Sequence, residues 1–148
     1  MTVSLIPIEV CDIVAPAVER HLAKSLEMTQ GREDITSVWQ RVISGEYHLW
    51  MFFDENNAAE GALITRFEIY PLKRILNLMF IGGENIEAWH EELLETLERF
   101  AKENGCDGLE IVGRYGWKKF LKKFGWEASF IICERMFEIA DEEQQDAA

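Results

Sequence analysis

Apolar residues recur at helical spacing in three long stretches of the chain. The first predicts a helix over Pro16–Met28, with its proline at the first position, where a missing N–H costs no hydrogen bond. The second begins after Asp34, a good N-cap residue, and ends at Gly45, a C-terminal cap. The third begins at about Asn85 and ends at Gly105. The apolar faces that define these helices are Val14, Val18, Leu22 and Leu26; Ile35, Val38, Trp39, Val42 and Ile43; and Ile86, Trp89, Leu93, Leu97 and Phe100.

Runs of apolar and aromatic residues predict strands around these helices. The predicted strands are Val3–Glu9, Tyr47–Asp54, Ala62–Tyr70, Ile75–Ile81, Leu109–Val112 and Trp126–Phe137, with a last helix over Tyr115–Phe124. Short turns join the second, third and fourth strands, so these three predict an antiparallel meander. A helix separates the fourth strand from the fifth, and the right-handed crossover rule makes these two strands parallel neighbours. The chain is therefore predicted to have an α/β fold of order β-α-α-β-β-β-α-β-α-β, with helices on both faces of a mixed sheet.

The composition is that of a globular domain. Of the 148 residues, 48% are apolar and 11% are aromatic, which is enough to build one core. We expect a single domain over residues 1–140, and the acidic stretch 141–148 is predicted to be a flexible tail. No run is long and apolar enough to cross a membrane, and the N-terminus lacks the pattern of a signal peptide. The cysteines, Cys11, Cys106 and Cys133, show no metal-ligand spacing, which favours reduced thiols and a cytoplasmic location.

The charge balance narrows the range of partners. The formal net charge is −12, and such a field repels nucleic acid and anionic lipid. The same excess of carboxylates favours a cationic small molecule or a basic protein or peptide. One basic cluster departs from the trend, and it consists of Arg114, Lys118, Lys119, Lys122 and Lys123. This cluster is either a solvated helix face or a local site for an anion.

The region after the third predicted helix carries the most informative pattern. It comprises residues 104–114 (NGCDGLEIVGR) and 116–126 (GWKKFLKKFGW). Together with the element order, these residues resemble the GNAT superfamily of N-acetyltransferases. The Gly-Arg-x-Gly-Trp run at residues 113–117 is similar to one in short GNAT-like proteins of tailed bacteriophages. The resemblance implies an acyl-CoA N-acyltransferase fold and acetyl-CoA as the cofactor, and for a phage-encoded protein it implies the host cytoplasm or the virion as location.

The resemblance also implies where the cofactor lies. In the family, the fourth and fifth strands splay apart at their C-terminal ends and the pantetheine arm fills the gap. The pyrophosphate meets the N-terminus of the third helix, where free N–H groups and the helix dipole attract anions. The matching loop in this chain comprises Ile81, Gly82, Gly83, Glu84, Asn85 and Ile86, and its two glycines would let a phosphate approach the backbone. The distal phosphate could reach Arg114, Lys118 or Lys119, and the loop at residues 31–34 is implied to select the acceptor.

Three positions depart from the family's pattern. The phosphate loop lacks a basic residue and places Glu84 where an anion would dock. Leu121 stands four residues before Gly125, where the family often has the tyrosine that protonates the leaving thiolate. Arg114 replaces an asparagine that is often found near the end of the fifth strand. Tyr115 could supply the missing acid, or it could be a capping aromatic residue.

A general base would take the proton of an attacking amine. The candidates are Glu68 and Glu110, both on predicted strands, and His48. The alternative is that both glutamates face solvent and that the histidine is structural. None of the histidines has a second ligand at metal-binding spacing, so no metal is expected.

Two functions remain open from the sequence. The first is an acetyl-CoA-dependent N-acetyltransferase that acts on an unidentified amine through a ternary, non-covalent complex. The second is a GNAT-fold protein that has lost the chemistry and serves as a binding or virion-associated module, because a fold does not fix a function.

Overall fold

A five-stranded mixed sheet forms the framework of the first part of the chain. In the computed structural model, residues 1–113 and 117–137 are described. The strands are β1 (Thr2–Leu5), β2 (His48–Phe53), β3 (Ala59–Tyr70), β4 (Lys73–Gly83) and β5 (Gly108–Ile111). They lie in the order β1-β2-β3-β4-β5. The first four strands pair antiparallel, whereas β4 and β5 are parallel, which confirms the predicted meander, the crossover and the α/β class.

The chain divides into two compact units, Met1–Val112 and Gly113–Ala148. The sheet and the first three helices belong to the first unit. Arg114, Tyr115 and the acidic tail at 141–148 lie outside the described residues, and the single domain over 1–140 stays a prediction.

The described residues form four α-helices, and two of these start where the sequence predicts. They are α1 (Cys11–Glu27), α2 (Ile35–Ser44), α3 (Ile86–Glu103) and α4 (Trp117–Lys122). The predicted start of α1 is wrong, because a short 3₁₀ turn at Ile8–Val10 leads directly into the helix. Pro16 therefore lies inside α1, where it removes one backbone hydrogen bond.

The ends of α2 follow the predicted caps. The carboxylate of Asp34 accepts a hydrogen bond from the Ser37 N–H at 2.8 Å, which satisfies one of the open donors of the first turn. Gly45 adopts a left-handed φ of 87° and closes the helix, a conformation that glycine adopts without a steric penalty.

The helices of the first unit cover the two faces of the sheet. One face, which we call the α1 face, packs against α1 and α2 through Val18, Leu22, Val38 and Val42 and through Leu49, Met51, Ala62, Ile64 and Phe80 of the strands. The other, the α3 face, packs against α3. There the Phe100 ring meets Trp50 edge-on and the Trp89 ring meets Phe52. The predicted packing of Trp89, Leu93 and Leu97 is confirmed, since all three are buried.

The predicted last strand, Trp126–Phe137, is wrong. In the second unit, α4 is followed by a turn that ends at Gly125 with a φ of 86°, and residues 126–137 have no regular secondary structure. Residues 127–137 are all exposed. The sequence pattern there suits a strand, but a strand also needs a backbone partner, and the described residues of this segment form no such ladder.

Candidate active site

The parallel pairing of β4 and β5 stops halfway along β4. It extends from Ile75 opposite Gly108 to Leu78 opposite Ile111, whereas β4 continues to Gly83. Beyond Leu78, the edge of β4 that faces β5 has no partner among the described strands. A stretch of backbone N–H and C=O groups is thereby left open at this side of the sheet.

A β-bulge lies at the same point. On the other side of β4, Ile64 pairs with Phe80 and Thr65 pairs with Leu78, so that Met79 is an extra residue without an opposite partner. A bulge of this kind breaks the ladder locally and redirects backbone groups. The bulge and the end of the β5 pairing therefore coincide within one residue of β4. No sequence signal marked Met79, because nothing in a run of apolar residues specifies the register.

The two glycines of the predicted phosphate loop are accounted for by packing within the chain. A Cβ on Gly82 would clash with the carbonyl oxygen of His21 in α1. Gly83 has a φ of 154°, and a Cβ there would clash with the carbonyl oxygen of Glu60. Both glycines thus allow close contact with neighbouring backbone, and their presence does not by itself indicate a ligand.

The rest of the predicted loop combines free donors with negative charge. Helix α3 begins at Ile86 after Asn85, which has a left-handed φ of 55°. Among the described residues, the N–H groups from Asn85 to Glu87 have no hydrogen-bond partner, and such groups form an anion site. Glu84 is exposed beside them, and its own N–H already donates to the carbonyl of Glu60. A phosphate in this loop would therefore meet donors and an opposing carboxylate together.

A row of polar side chains crosses β3, β4 and β5 on the α1 face. Arg66, Asn77 and Glu110 are register partners on the three strands, so they share that face. Arg66 donates to the Glu68 carboxylate, and the Asn77 amino group donates to the same carboxylate at 3.3 Å. The Tyr70 hydroxyl donates to Glu110 at 3.0 Å. The structure thus brings the predicted bases Glu68 and Glu110 to either side of Asn77.

The side chains in this row differ in exposure and in partners. Asn77 is 8% exposed, and its Oδ1 is buried without a hydrogen-bond partner. Glu68 is bound to a cation, whereas the partner of Glu110 among the described residues is a neutral hydroxyl. The hydrogen bond to Glu110 raises the pKa of Tyr70 above its usual value, so that this phenol stays protonated and can only donate to the carboxylate at neutral pH.

His48, the third candidate base, lies apart from the two glutamates. Its register partner is Thr65, which places it on the α3 face, and its Nδ1 is 2.8 Å from the Thr65 hydroxyl. The rings of Phe67 and Phe100 meet it edge-on. Burial lowers the pKa of this imidazole, and its surroundings are those of a structural residue.

The predicted acceptor loop is held to the sheet by a buried tyrosine. The Tyr47 hydroxyl donates to the Glu33 carboxylate at 2.9 Å, and Arg41 donates to the same hydroxyl at 2.9 Å. Burial, followed by the contact with Glu33, raises the pKa of Tyr47. The Arg66 guanidinium lies 5.9 Å from the Tyr47 ring centroid, so the loop and the polar row are neighbours on the α1 face.

The remaining predicted site residues belong neither to the polar row nor to the loop before α3. Arg114 and Tyr115 lie outside the described residues. Lys118 and Lys119 are exposed on α4 of the second unit, and their contact with a cofactor stays a prediction. Within residues 1–113 and 117–137, no group of three or more His, Cys, Asp or Glu side chains could hold a metal ion.

Comparison with solved structures gives clear matches over 93% to 95% of the chain. A probable acetyltransferase superimposes with a TM-score of 0.67 at 17% identity and covers 95% of this chain and 99% of its own. The ribosomal-protein-alanine N-acetyltransferase of Brucella melitensis biovar Abortus 2308 gives 0.67 at 14% identity, with 93% and 100% covered. Glucosamine-6-phosphate N-acetyltransferase from Arabidopsis thaliana gives 0.62 at 12% identity, with 93% and 98% covered. The chain has the fold of the GNAT-type acetyltransferases.

This result confirms the fold implied by the sequence resemblance. No family model matches the sequence, and no curated protein matches it either. At these low identities the structural similarity establishes the GNAT fold alone, and the activity has to be argued from the residues. No helix in the described part of the chain combines the length and apolar composition needed to cross a bilayer.

Proposed function

We propose that the protein is an acetyl-CoA-dependent N-acetyltransferase that acts on an amine. The bulge at Met79, at the point where β5 leaves β4, is the observation that supports this most strongly. It supplies unpaired backbone groups beside an open strand edge, which suits an extended pantetheine arm. A backbone N–H at the bulge would stabilise the oxyanion that forms when an amine attacks a thioester.

Glu110 is the better candidate for the general base. Its carboxylate accepts a hydrogen bond from the neutral Tyr70 hydroxyl, whereas Glu68 is held in an ion pair with Arg66. Arg66 and the Asn77 amino group already occupy acceptor sites of the Glu68 carboxylate, which leaves fewer of them open to an amine proton. In this scheme Glu110 would take a proton from the ammonium form of the amine, and the neutral nitrogen would then attack the carbonyl carbon. The C–S bond would break, and the second proton of the nitrogen would replace the one that Tyr115 gives up. Tyr115 is proposed to return a proton to the thiolate of CoA.

The cofactor is proposed to bind with its pyrophosphate at the start of α3. The free N–H groups from Asn85 to Glu87 and the helix dipole favour this position. The exposed Glu84 opposes it and weakens the binding of a phosphate. Arg114, Lys118 and Lys119 are proposed to meet the distal phosphate.

A second candidate function is a GNAT-fold binding protein without catalysis, including a virion-associated one in a phage. Two features favour it, namely Leu121 where the resemblance implies a proton donor and Glu84 beside the proposed phosphate site. A missing general acid typically lowers the rate by a factor of about 10² to 10⁴.

Release of free thiol from acetyl-CoA distinguishes the two functions. The assay uses a panel of amines and basic peptides with the parent protein, Glu110→Gln and Tyr115→Phe, and with Glu95→Gln as a control that removes an exposed carboxylate from α3. The proposal predicts turnover in the parent and the control, and a loss of about 10² or more in Glu110→Gln. Thiol release no faster than the uncatalysed background in the parent would support the binding protein instead.

A further inference from the structure

The Asn77 amide has an unsatisfied acceptor in a nearly closed position. The Glu68 carboxylate can only accept hydrogen bonds, so the amino group of Asn77 must face it, as the 3.3 Å contact shows. Oδ1 is consequently directed elsewhere, and it is buried without a partner. An unpaired buried acceptor destabilises the folded state, because it has lost its hydrogen bonds to water. A group that donates a hydrogen bond would remove that cost.

Within the row itself, Arg66, Glu68 and Glu110 carry a net charge of a single negative unit. Arg66 neutralises Glu68 through their ion pair. Glu110 lies beside Asn77 on the neighbouring strand, and among the described residues its carboxylate has no cationic partner. The row therefore has one negative charge to balance and acceptor atoms that need a donor. A monovalent cation that donates hydrogen bonds would satisfy both. A primary ammonium group meets both requirements, since it carries one charge and three donors.

The Tyr70–Glu110 hydrogen bond spans the strand that lies between the two residues. Tyr70 is on β3 and Glu110 is on β5, and both belong to the α1 face, so their contact must pass over β4. Tyr70 is 42% exposed, and its hydroxyl occupies an acceptor site on Glu110 that a cation would use. Both bonds have the ionised carboxylate as acceptor, but an ammonium donor is also charged and adds an attraction that the uncharged hydroxyl lacks.

We infer that this polar row is a binding site for the ammonium form of a primary amine. Oδ1 of Asn77 and the Glu110 carboxylate accept its hydrogen bonds, and its entry displaces the Tyr70 hydroxyl from Glu110. That this cation is the acceptor substrate rests on the proposed acetyl transfer, whereas the cation site itself does not depend on it. The acceptor class is accordingly a primary amine that is protonated in solution.

The test is an NMR titration with n-butylamine as the probe, without acetyl-CoA, so that its outcome is independent of the proposed catalysis. The inference predicts a saturable shift of the Asn77 side-chain NH₂ signals at pH 7.5, and no such shift with butan-1-ol, which has a similar size and no charge. Glu110→Gln should weaken the dissociation constant about tenfold or more. Glu95→Gln, which removes the same charge from an exposed position on α3, should leave it unchanged.

Tyr70→Phe gives the most specific test, because it should change the affinity for n-butylamine in the opposite direction to Glu110→Gln. Because the hydroxyl competes with the ligand for Glu110, its removal should tighten n-butylamine binding by roughly two- to tenfold, and the substitution changes an exposed side chain with little risk to folding. Equal weakening by Glu110→Gln and Glu95→Gln, or equal shifts with butan-1-ol, would overturn the inference. If acetyl-CoA binds but n-butylamine causes no shift, the amine site is overturned and the proposed acetyl transfer is not. If n-butylamine causes the shift but acetyl-CoA does not bind, only the proposed acetyl transfer is overturned.

Discussion

Gly82 is compatible with two interpretations, a role in phosphate binding and a role in packing, until its neighbours in the structure are known. The sequence predicts that this glycine lets a phosphate approach the backbone. In the structure its missing side chain makes room for the His21 carbonyl of α1, because the C-terminal end of β4 packs directly against that helix. Conformational freedom and small size have the same sequence signature, and only the packing separates them.

Gly82→Ala should destabilise the fold strongly. The added Cβ meets a helix backbone, which cannot rotate away as a side chain would, so a loss of about 1–3 kcal/mol or more is expected. Gly108→Ala is the matched control, since its Cβ would lie 3.7 Å from Ile75, an ordinary contact. Urea unfolding of both variants measures the difference, and equal stabilities would contradict the tight packing of β4 on α1.

The buried imidazole of His48 should make the free energy of unfolding depend on pH. Burial lowers the pKa of its imidazole, so the folded protein favours the neutral form and the unfolded chain binds more protons. The contribution of this residue is complete above the unfolded pKa of about 6.5 and is lost as the pH falls through the lower folded value. Burial acts in the same direction on the pKa of His90.

The free energy of unfolding should therefore fall as the pH drops below about 6.5 and towards the lower folded pKa of the imidazole. In His48→Phe, which keeps an aromatic ring beside Phe67 and Phe100, this fall should be smaller. Urea titrations at several pH values give the slope. An unchanged slope in His48→Phe would show that the imidazole titrates in the same way in the folded and unfolded chains.

Among the helices and strands, the sequence correctly predicts the features that depend on nearby residues in the chain. The caps of α2 and the apolar stripe of α3 depend on residues close together in the chain, and both are confirmed. The pairing of β4 with β5 follows from the helix between them. The start of α1 is missed because a 3₁₀ turn carries little signal. The strand predicted over Trp126–Phe137 is missed because a strand depends on a partner that is distant in sequence.

The candidate site is only partly predictable for the same reason. Glu68 and Glu110 can be named from the sequence as carboxylates on strands. Their position on either side of Asn77 depends on the register of three strands and on the bulge at Met79. No local pattern encodes that register, so Asn77 is identified from the structure alone.

Leu97→Ala tests the core beneath α3. Leu97 is fully buried, and truncation of such a residue costs about 2–5 kcal/mol through lost burial and a residual cavity. Leu72→Ala is the control, because Leu72 is 96% exposed and a surface change usually stays within about 0.5 kcal/mol. Chemical unfolding provides both values. A loss in Leu97→Ala no larger than that of the control would mean that α3 packs by a different face.

Across the whole molecule, the GNAT fold is established and the chemistry is proposed. The net charge of −12 suits a cationic acceptor and opposes an anionic cofactor, so the two proposed ligands experience the field of the protein with opposite signs. Added salt should weaken amine binding through screening and relieve the repulsion of CoA. The similarity of residues 113–117 to phage-encoded proteins stays a prediction.

Calorimetric titration with acetyl-CoA tests the central claim most directly. The account predicts one acetyl-CoA bound per chain, tighter binding in Glu84→Gln because a carboxylate beside the phosphate site is neutralised, and unchanged binding in Glu95→Gln, which removes a carboxylate farther along α3. The titration is run at two temperatures so that a binding enthalpy near zero at one of them does not hide the interaction. Absence of binding heat at both temperatures, in the parent and in Glu84→Gln, would contradict the proposal that this GNAT fold carries an acetyl-CoA site.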